Sequence, residues 1–136
     1  MATDIGFSHV ALQVSDVDKS VVFYQRWAGL EVVDRLEDPK SGAKAARVRD
    51  PRRKDGFVVA LVQHGDVSHT LAGMCHLGIG CADRAEVDRI SKEADAAGCL
   101  RTGPVDAGFP LGYWSFLVDP DGHQLEVSYG QNDPNA

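Results

Sequence analysis

The chain has 136 residues, 43% of them hydrophobic and 25% charged, with a formal net charge of −6. This length suits one compact domain with a real core, and the acidity argues against nucleic acid or an anionic membrane as partner, since both need a basic footprint. No apolar run approaches the roughly 20 residues of a membrane span, and the opening MATDIGFSHV lacks the basic start and apolar stretch of a signal peptide, so the expected location is the cytoplasm.

Residues 9–14 alternate in polarity and predict a strand, with Val10, Leu12 and Val14 on one face and His9, Ala11 and Gln13 on the other. Asp16 is placed to cap a helix that runs through Val21, Phe23, Tyr24 and Trp27 to Gly29, with Tyr24 and Trp27 in the core. Extended pieces are expected near 30–36, 45–49 and 57–63. The basic cluster of Arg47, Arg49, Arg52, Arg53 and Lys54 is diluted by Asp50 and Asp55 and reads as a solvated turn rather than a phosphate site.

A linker at about 65–74 leads to a second strand at 76–81. Asp83, with Glu86 three residues on, opens a helix carrying Val87, Ile90, Ala94 and Ala97 and ending at Gly98. Extended pieces follow near 101, at 113–118 and at 124–129. The three cysteines, Cys75, Cys81 and Cys99, have no CxxC spacing and read as reduced, buried thiols.

The chain repeats itself. FSHVALQVSD overlays MCHLGIGCAD, so that His9 falls on His76 and Asp16 on Asp83 by the same shift. DGFVVALV overlays DGHQLEVS by a shift one residue shorter, and Ala60 then falls on Glu126. Each half reads β-α-β-β-β. The expected fold is α+β: a single domain of two βαβββ modules, at about 4–65 and 74–130 with a short C-terminal tail, forming a curved mixed sheet around a central cavity.

Strand parity converts the repeat into a candidate site. His9, His76 and Glu126 share the face turned away from the helices, and their neighbours there, Ala11, Ala60, Gly78 and Gly80, are small enough to leave a cavity. Two imidazoles and one carboxylate form a facial triad with open positions for a bidentate oxygen ligand, a set that suits Fe(II) first and also Mn(II), Zn(II) or Ni(II).

HVALQVSDVDKSVVFYQRWAGLEVV at the start and FLVDPDGHQLEV at the end resemble the vicinal oxygen chelate superfamily, which includes glyoxalase I, the extradiol dioxygenases, the fosfomycin-resistance enzymes, methylmalonyl-CoA epimerase and the bleomycin-resistance binding proteins. The resemblance implies paired βαβββ modules around a metal, with His9, His76 and Glu126 as ligand positions. Glyoxalase I and the epimerase keep a fourth ligand, Glu or Gln, where this chain has Ala60. The three-ligand set is more like the extradiol and fosfomycin enzymes, although Phe116 stands at the extradiol Tyr position and Ala11 replaces the fosfomycin-type Thr.

Tyr113 or Trp114 is positioned to cover an apolar substrate, and Tyr113 and His64 are the candidate acid/base groups. His69 and His123 receive no role. The leading functional expectation is a metal-dependent enzyme that chelates a small substrate through neighbouring oxygens, most like an Fe(II) extradiol-type dioxygenase. The alternatives are a glyoxalase I-like lyase or isomerase, and a non-catalytic bleomycin-resistance-type binder. A homodimer is expected, with modules exchanged or not.

Overall fold

The computed structural model describes residues 5–136. The chain divides into two compact units, 1–70 and 71–136, and the boundary falls inside the expected linker. Each unit is a β-α-β-β-β module, and the fold is α+β. The eight strands form two mixed four-stranded sheets, one in each unit.

The first unit contains β1 (His9–Val14), α1 (Val17–Ala28), β2 (Glu31–Glu37), β3 (Lys44–Arg49) and β4 (Val58–Gln63), with strand order β1-β4-β3-β2. The N-terminal end of α1 is fixed by the Asp16 carboxylate, which accepts from the Asp18 and Lys19 amides, satisfying two of the amides that a helix start leaves without partners. Gly29 ends the helix at φ 65°, a left-handed conformation that costs glycine nothing. Val17, Val21, Tyr24 and Ala28 repeat at helical spacing and are buried against the sheet with Phe23 and Trp27, as their periodicity requires. Beneath them lie Leu12, Val14, Ala46, Val48 and Leu61, all at most 4% exposed.

The four arginines of the basic cluster are each paired with a carboxylate. Arg47 pairs with Asp34, Arg49 with Glu31, Arg52 with Asp50 and Arg53 with Asp55. The Asp34 carboxyl is held below its ordinary range, first by the Arg47 hydrogen bond, and that of Asp55 likewise by Arg53. These guanidiniums are engaged in turns and strand rungs, in keeping with a solvated-turn reading.

The second unit contains β5 (Leu77–Gly80), α2 (Arg84–Ala97), β6 (Leu100–Gly108), β7 (Gly112–Val118) and β8 (Gln124–Tyr129), in strand order β5-β8-β7-β6. The Asp83 side chain accepts from the Glu86 amide and the Glu86 side chain accepts from the Ala82 amide, which is the reciprocal cap the sequence suggests. Val87, Ile90 and Ala94 face Leu117, Leu125 and Val127 in the core. A buried Ser91–Ser115 hydrogen bond of 2.7 Å ties α2 to β7.

The extended piece expected near residue 101 is β6, a nine-residue strand with three register shifts against β7, one of them across Gly103 and Pro104. One expectation needs correction. Cys75 is not buried: it lies ahead of β5 and is exposed, while Cys81 and Cys99 are half-buried, and none of the three is joined in a disulfide. The parity argument failed for Cys75 because β5 begins two residues later, at Leu77.

Candidate metal centre

The two sheets carry equivalent rungs. In the first unit β1 and β4 run parallel with Ala11 opposite Ala60. In the second, β5 and β8 run parallel with Gly78 opposite Glu126. Ala11 and Gly78, and Ala60 and Glu126, are therefore counterparts in the fold as well as in the repeat. The third strand completes the match: Arg47 stands opposite Ala60, and Phe116 opposite Glu126.

Glu126 is delivered by the DPDG turn. Asp119, 4% exposed, accepts from the Asp121 and His123 amides at 2.8 and 2.9 Å, and Gly122 turns at φ 91°, as the reversal needs. His123 is buried at 1% exposure, and its Nδ1 accepts from the Leu71 amide at 2.9 Å. It is a structural histidine that straps the incoming segment to the turn. Gln124 extends the strap. Its amide nitrogen donates to the carbonyls of Gly73 and Cys75 at 2.9 and 3.0 Å, and its oxygen accepts from Arg101 at 2.6 Å.

This strap sets His76. Its Nδ1 donates to the Met74 carbonyl at 2.9 Å, which leaves the lone pair of a neutral ring on Nε2. That Nε2 lies 3.2 Å from Oε2 of Glu126, whose side chain is 8% exposed. A lone pair and a carboxylate oxygen at this separation repel unless a proton or a cation lies between them. An imidazole oriented by a backbone carbonyl through its other nitrogen is the usual arrangement of a metal-ligating histidine. The donor set and its orientation thus fit a divalent metal. Phe116 packs edge-on to His76, centroids 4.9 Å apart, and Trp114 packs edge-on to Phe116 at 5.0 Å, so an apolar wall flanks the pair.

The remaining candidates are placed as follows. His9 opens β1 in the first unit, exposed, with Ser8 Oγ 2.8 Å from its Nδ1. Among the described residues no three His, Cys, Asp or Glu side chains stand together as a ready cation cluster; the pair that one unit assembles is His76 and Glu126. Tyr113 turns to the helix side of its sheet, where its hydroxyl donates to Asp88 and Arg84 lies over its ring at 4.8 Å. The Asp88 hydrogen bond, more than burial, raises the Tyr113 hydroxyl above its ordinary value. Trp114, of the opposite parity, is the aromatic that shares the Glu126 face. His64 is exposed just past β4, its Nδ1 3.1 Å from the Asp66 carbonyl.

The small residues leave space. A Cβ added at Gly78 or Gly80 would meet nothing within 4 Å. A cavity of about 420 Å³ beside β5 is lined by Gly78, Gly80, Ser128 and Gln131 among others, with neither His76 nor Glu126 in its wall, and its size is within the range of small-molecule sites. Gln131 was not singled out from the sequence. It belongs to the tail beyond β8, where no periodicity points to it, yet its Nε2 donates to Glu126 Oε1 at 2.5 Å and to the Leu111 carbonyl at 3.0 Å.

Residues 6–127 match the model of the Glyoxalase/Bleomycin resistance protein/Dioxygenase superfamily. The chain belongs to this superfamily. Relatives and solved structures of similar form cover nearly all of it. An uncharacterised Pseudomonas aeruginosa protein is 34% identical over 125 residues, covering 91% of this chain and 88% of the relative. A probable lactoylglutathione lyase of Vibrio cholerae is 27% identical over 121 residues, covering 88% of this chain and 86% of that protein. In fold, the chain is similar to the fosfomycin resistance protein FosX of Listeria monocytogenes, solved with Mn(II) and sulfate, at TM-score 0.73 and 20% identity over 96% of this chain and 97% of that one. No helix among the described residues is long and apolar enough to cross a membrane.

Proposed function

We propose that the protein is a divalent-metal-dependent enzyme that takes a small substrate through two neighbouring oxygens. The observation that carries the reading is the opposition of His76 Nε2 and Glu126 Oε2 at 3.2 Å with the histidine tautomer fixed by Met74. His9 enters as the third ligand on its sequence correspondence with His76. A metal held by this triad would act as Lewis acid and template for the substrate oxygens. The chain's own contributions are the orientation of His76 and Glu126, the Phe116–Trp114 wall against an apolar part of the substrate, and the space beside Gly78 and Gly80.

Ala60 favours open-site chemistry. As the counterpart of Glu126, it offers neither a fourth ligand nor a base for moving a proton between adjacent carbons. Extradiol-type oxygen chemistry on Fe(II) is therefore our leading assignment. The likeness to lactoylglutathione lyases supports a second reading, a glyoxalase-type reaction whose base comes from elsewhere than position 60. Parallel assays of the chelator-stripped protein reloaded with Fe(II), Mn(II), Ni(II) or Zn(II) separate them. Consumption of dioxygen with a catechol panel supports the first, and formation of lactoylglutathione the second. Loss of neither activity on metal removal counts against both.

Ala60→Glu tests the open position. The introduced carboxylate should tighten metal binding several-fold and slow turnover, as read by metal titration and steady-state rates. Unchanged affinity and unchanged rate would mean that Ala60 does not share the metal's face.

We also propose a homodimer. Ile5 and Phe7, just ahead of β1, are 85% and 97% exposed, apolar area that a second copy would cover. Sedimentation at micromolar concentration should give twice 14.7 kDa, and a monomer at all concentrations rules this out. If modules are exchanged, mixing His9→Ala and Glu126→Ala chains restores activity in part. If they are not, both parents and the mixture stay inactive.

A further inference from the structure

Gln131 is the described polar side chain that joins the tail to the carboxylate of the proposed centre. Its amide makes two hydrogen bonds from one nitrogen, to Glu126 Oε1 at 2.5 Å and to the Leu111 carbonyl at 3.0 Å. Both partners are acceptors, so both need an N–H, and an amide nitrogen has two to give. The orientation of the amide is thereby determined: the nitrogen faces Glu126 and the loop, not the oxygen.

The consequence falls on Glu126. A carboxylate on a flexible side chain can present either oxygen, or both, to a cation. Here Oε1 is committed to Gln131, and Oε2 is the oxygen left facing His76 Nε2 at 3.2 Å. Gln131 also lines the cavity that runs beside Gly78 and Gly80. Its own position is held from the far side, since the Leu111 carbonyl lies in the turn that leads into β7, the strand whose Phe116 is opposite Glu126.

We propose that Gln131 is a positioning residue for the metal centre: it locks the Glu126 carboxylate so that one oxygen alone is presented beside His76, and so makes the C-terminal tail part of the site. This inference rests on the metal reading above. Outer hydrogen-bond partners of metal-ligating side chains typically contribute 10–100-fold in affinity, and that is the range expected here.

The test is Gln131→Met, which keeps the length and packing of the side chain and removes the donor. Mn(II) is titrated into chelator-stripped parent and variant well below the unfolding midpoint of either, and free Mn(II) is followed by electron paramagnetic resonance. The variant should bind about 10–100-fold more weakly, and the spectrum of its bound Mn(II) should change as Glu126 becomes free to present both oxygens. The unfolding midpoint of the metal-free variant should fall modestly, since a buried Glu126 oxygen loses its donor, and the titration is read where both chains remain folded. Equal affinity and an unchanged spectrum overturn the proposal, whatever happens to the midpoint, because a merely structural tie would move the midpoint alone. His76→Ala is run beside it. If the parent binds no Mn(II), or binds it independently of His76, the metal reading fails and Gln131 loses its role with it. If the parent binds through His76 while Gln131→Met binds equally well, only the positioning role fails.

Discussion

Protein carrying His76→Ala should emerge from purification nearly free of metal, whereas the parent should carry close to one ion per chain. The imidazole supplies one of the two donors that a single unit brings face to face, with Nε2 3.2 Å from Glu126 Oε2. Its loss should cost more than the 10–100-fold that an outer hydrogen-bond partner contributes, on the order of 10³-fold. Activity should fall in step, because the substrate would have lost its template. The fold should survive. The His76 side chain is 31% exposed, and the strap that carries it is held by Gln124 and His123 rather than by the ring itself. Elemental analysis with a circular dichroism spectrum reads both outcomes. A parent without metal, or a folded His76→Ala chain that keeps it, would sink the enzyme reading and favour the metal-free binding protein.

The two-module organisation was legible in the sequence because it is written in short-range chemistry. Asp16 and Asp83 are strong helix caps, Gly29 and Gly98 are natural helix ends, and both helices begin and end at those residues. Strand parity was legible for the same reason: alternation fixes which residues share a face, while the rungs Ala11–Ala60 and Gly78–Glu126 are set by the pairing of the strands. Parity also separates Tyr113 from Trp114, one residue apart on β7. The sequence offered either as a substrate cover, but an edge-on contact to Phe116 engages Trp114 while Tyr113 is drawn to Asp88 and Arg84 on the helix side.

What the sequence did not reveal depends on contacts without a period. The His76 tautomer rests on the carbonyl of Met74, a backbone atom that residue type does not encode. Gln124 shares the parity of Glu126 on β8, yet its amide holds residues 73 and 75 in place beside the metal candidate. His123, given no role by the sequence, is nearly fully buried and accepts from a main-chain amide. Gln131 sits in a polar tail where composition predicts solvent exposure, and only the packing of the tail over the β8 end reveals its bond to Glu126.

Gly112→Ala should destabilise the chain more than a substitution of one methyl ordinarily does. Gly112 opens β7 at φ 76°, and a Cβ there would fall far inside van der Waals contact with the Tyr129 carbonyl oxygen, with Gln131 Cγ at 3.2 Å and the Gln131 nitrogen at 3.3 Å. The Tyr129 oxygen is main chain and cannot rotate away, so β7 must shift against β8. Such overpacking costs about 1–3 kcal/mol, and the left-handed backbone adds about 1 kcal/mol for a residue with a side chain. A total of about 3 kcal/mol is a large share of the 5–15 kcal/mol that separates most domains from unfolding, and corresponds to a midpoint lower by roughly 10 °C. Gly98→Ala is the control. Its φ is nearly the same at 80°, but a Cβ there meets nothing within 4 Å, so only the backbone penalty of about 1 kcal/mol applies. Thermal unfolding of the metal-free chains measures the difference. Equal midpoints for the two variants would mean that β7 and β8 part freely at this end. A larger loss at Gly112 should be accompanied by weaker metal binding, because the same shift carries Phe116 away from His76 and loosens the seat of Gln131.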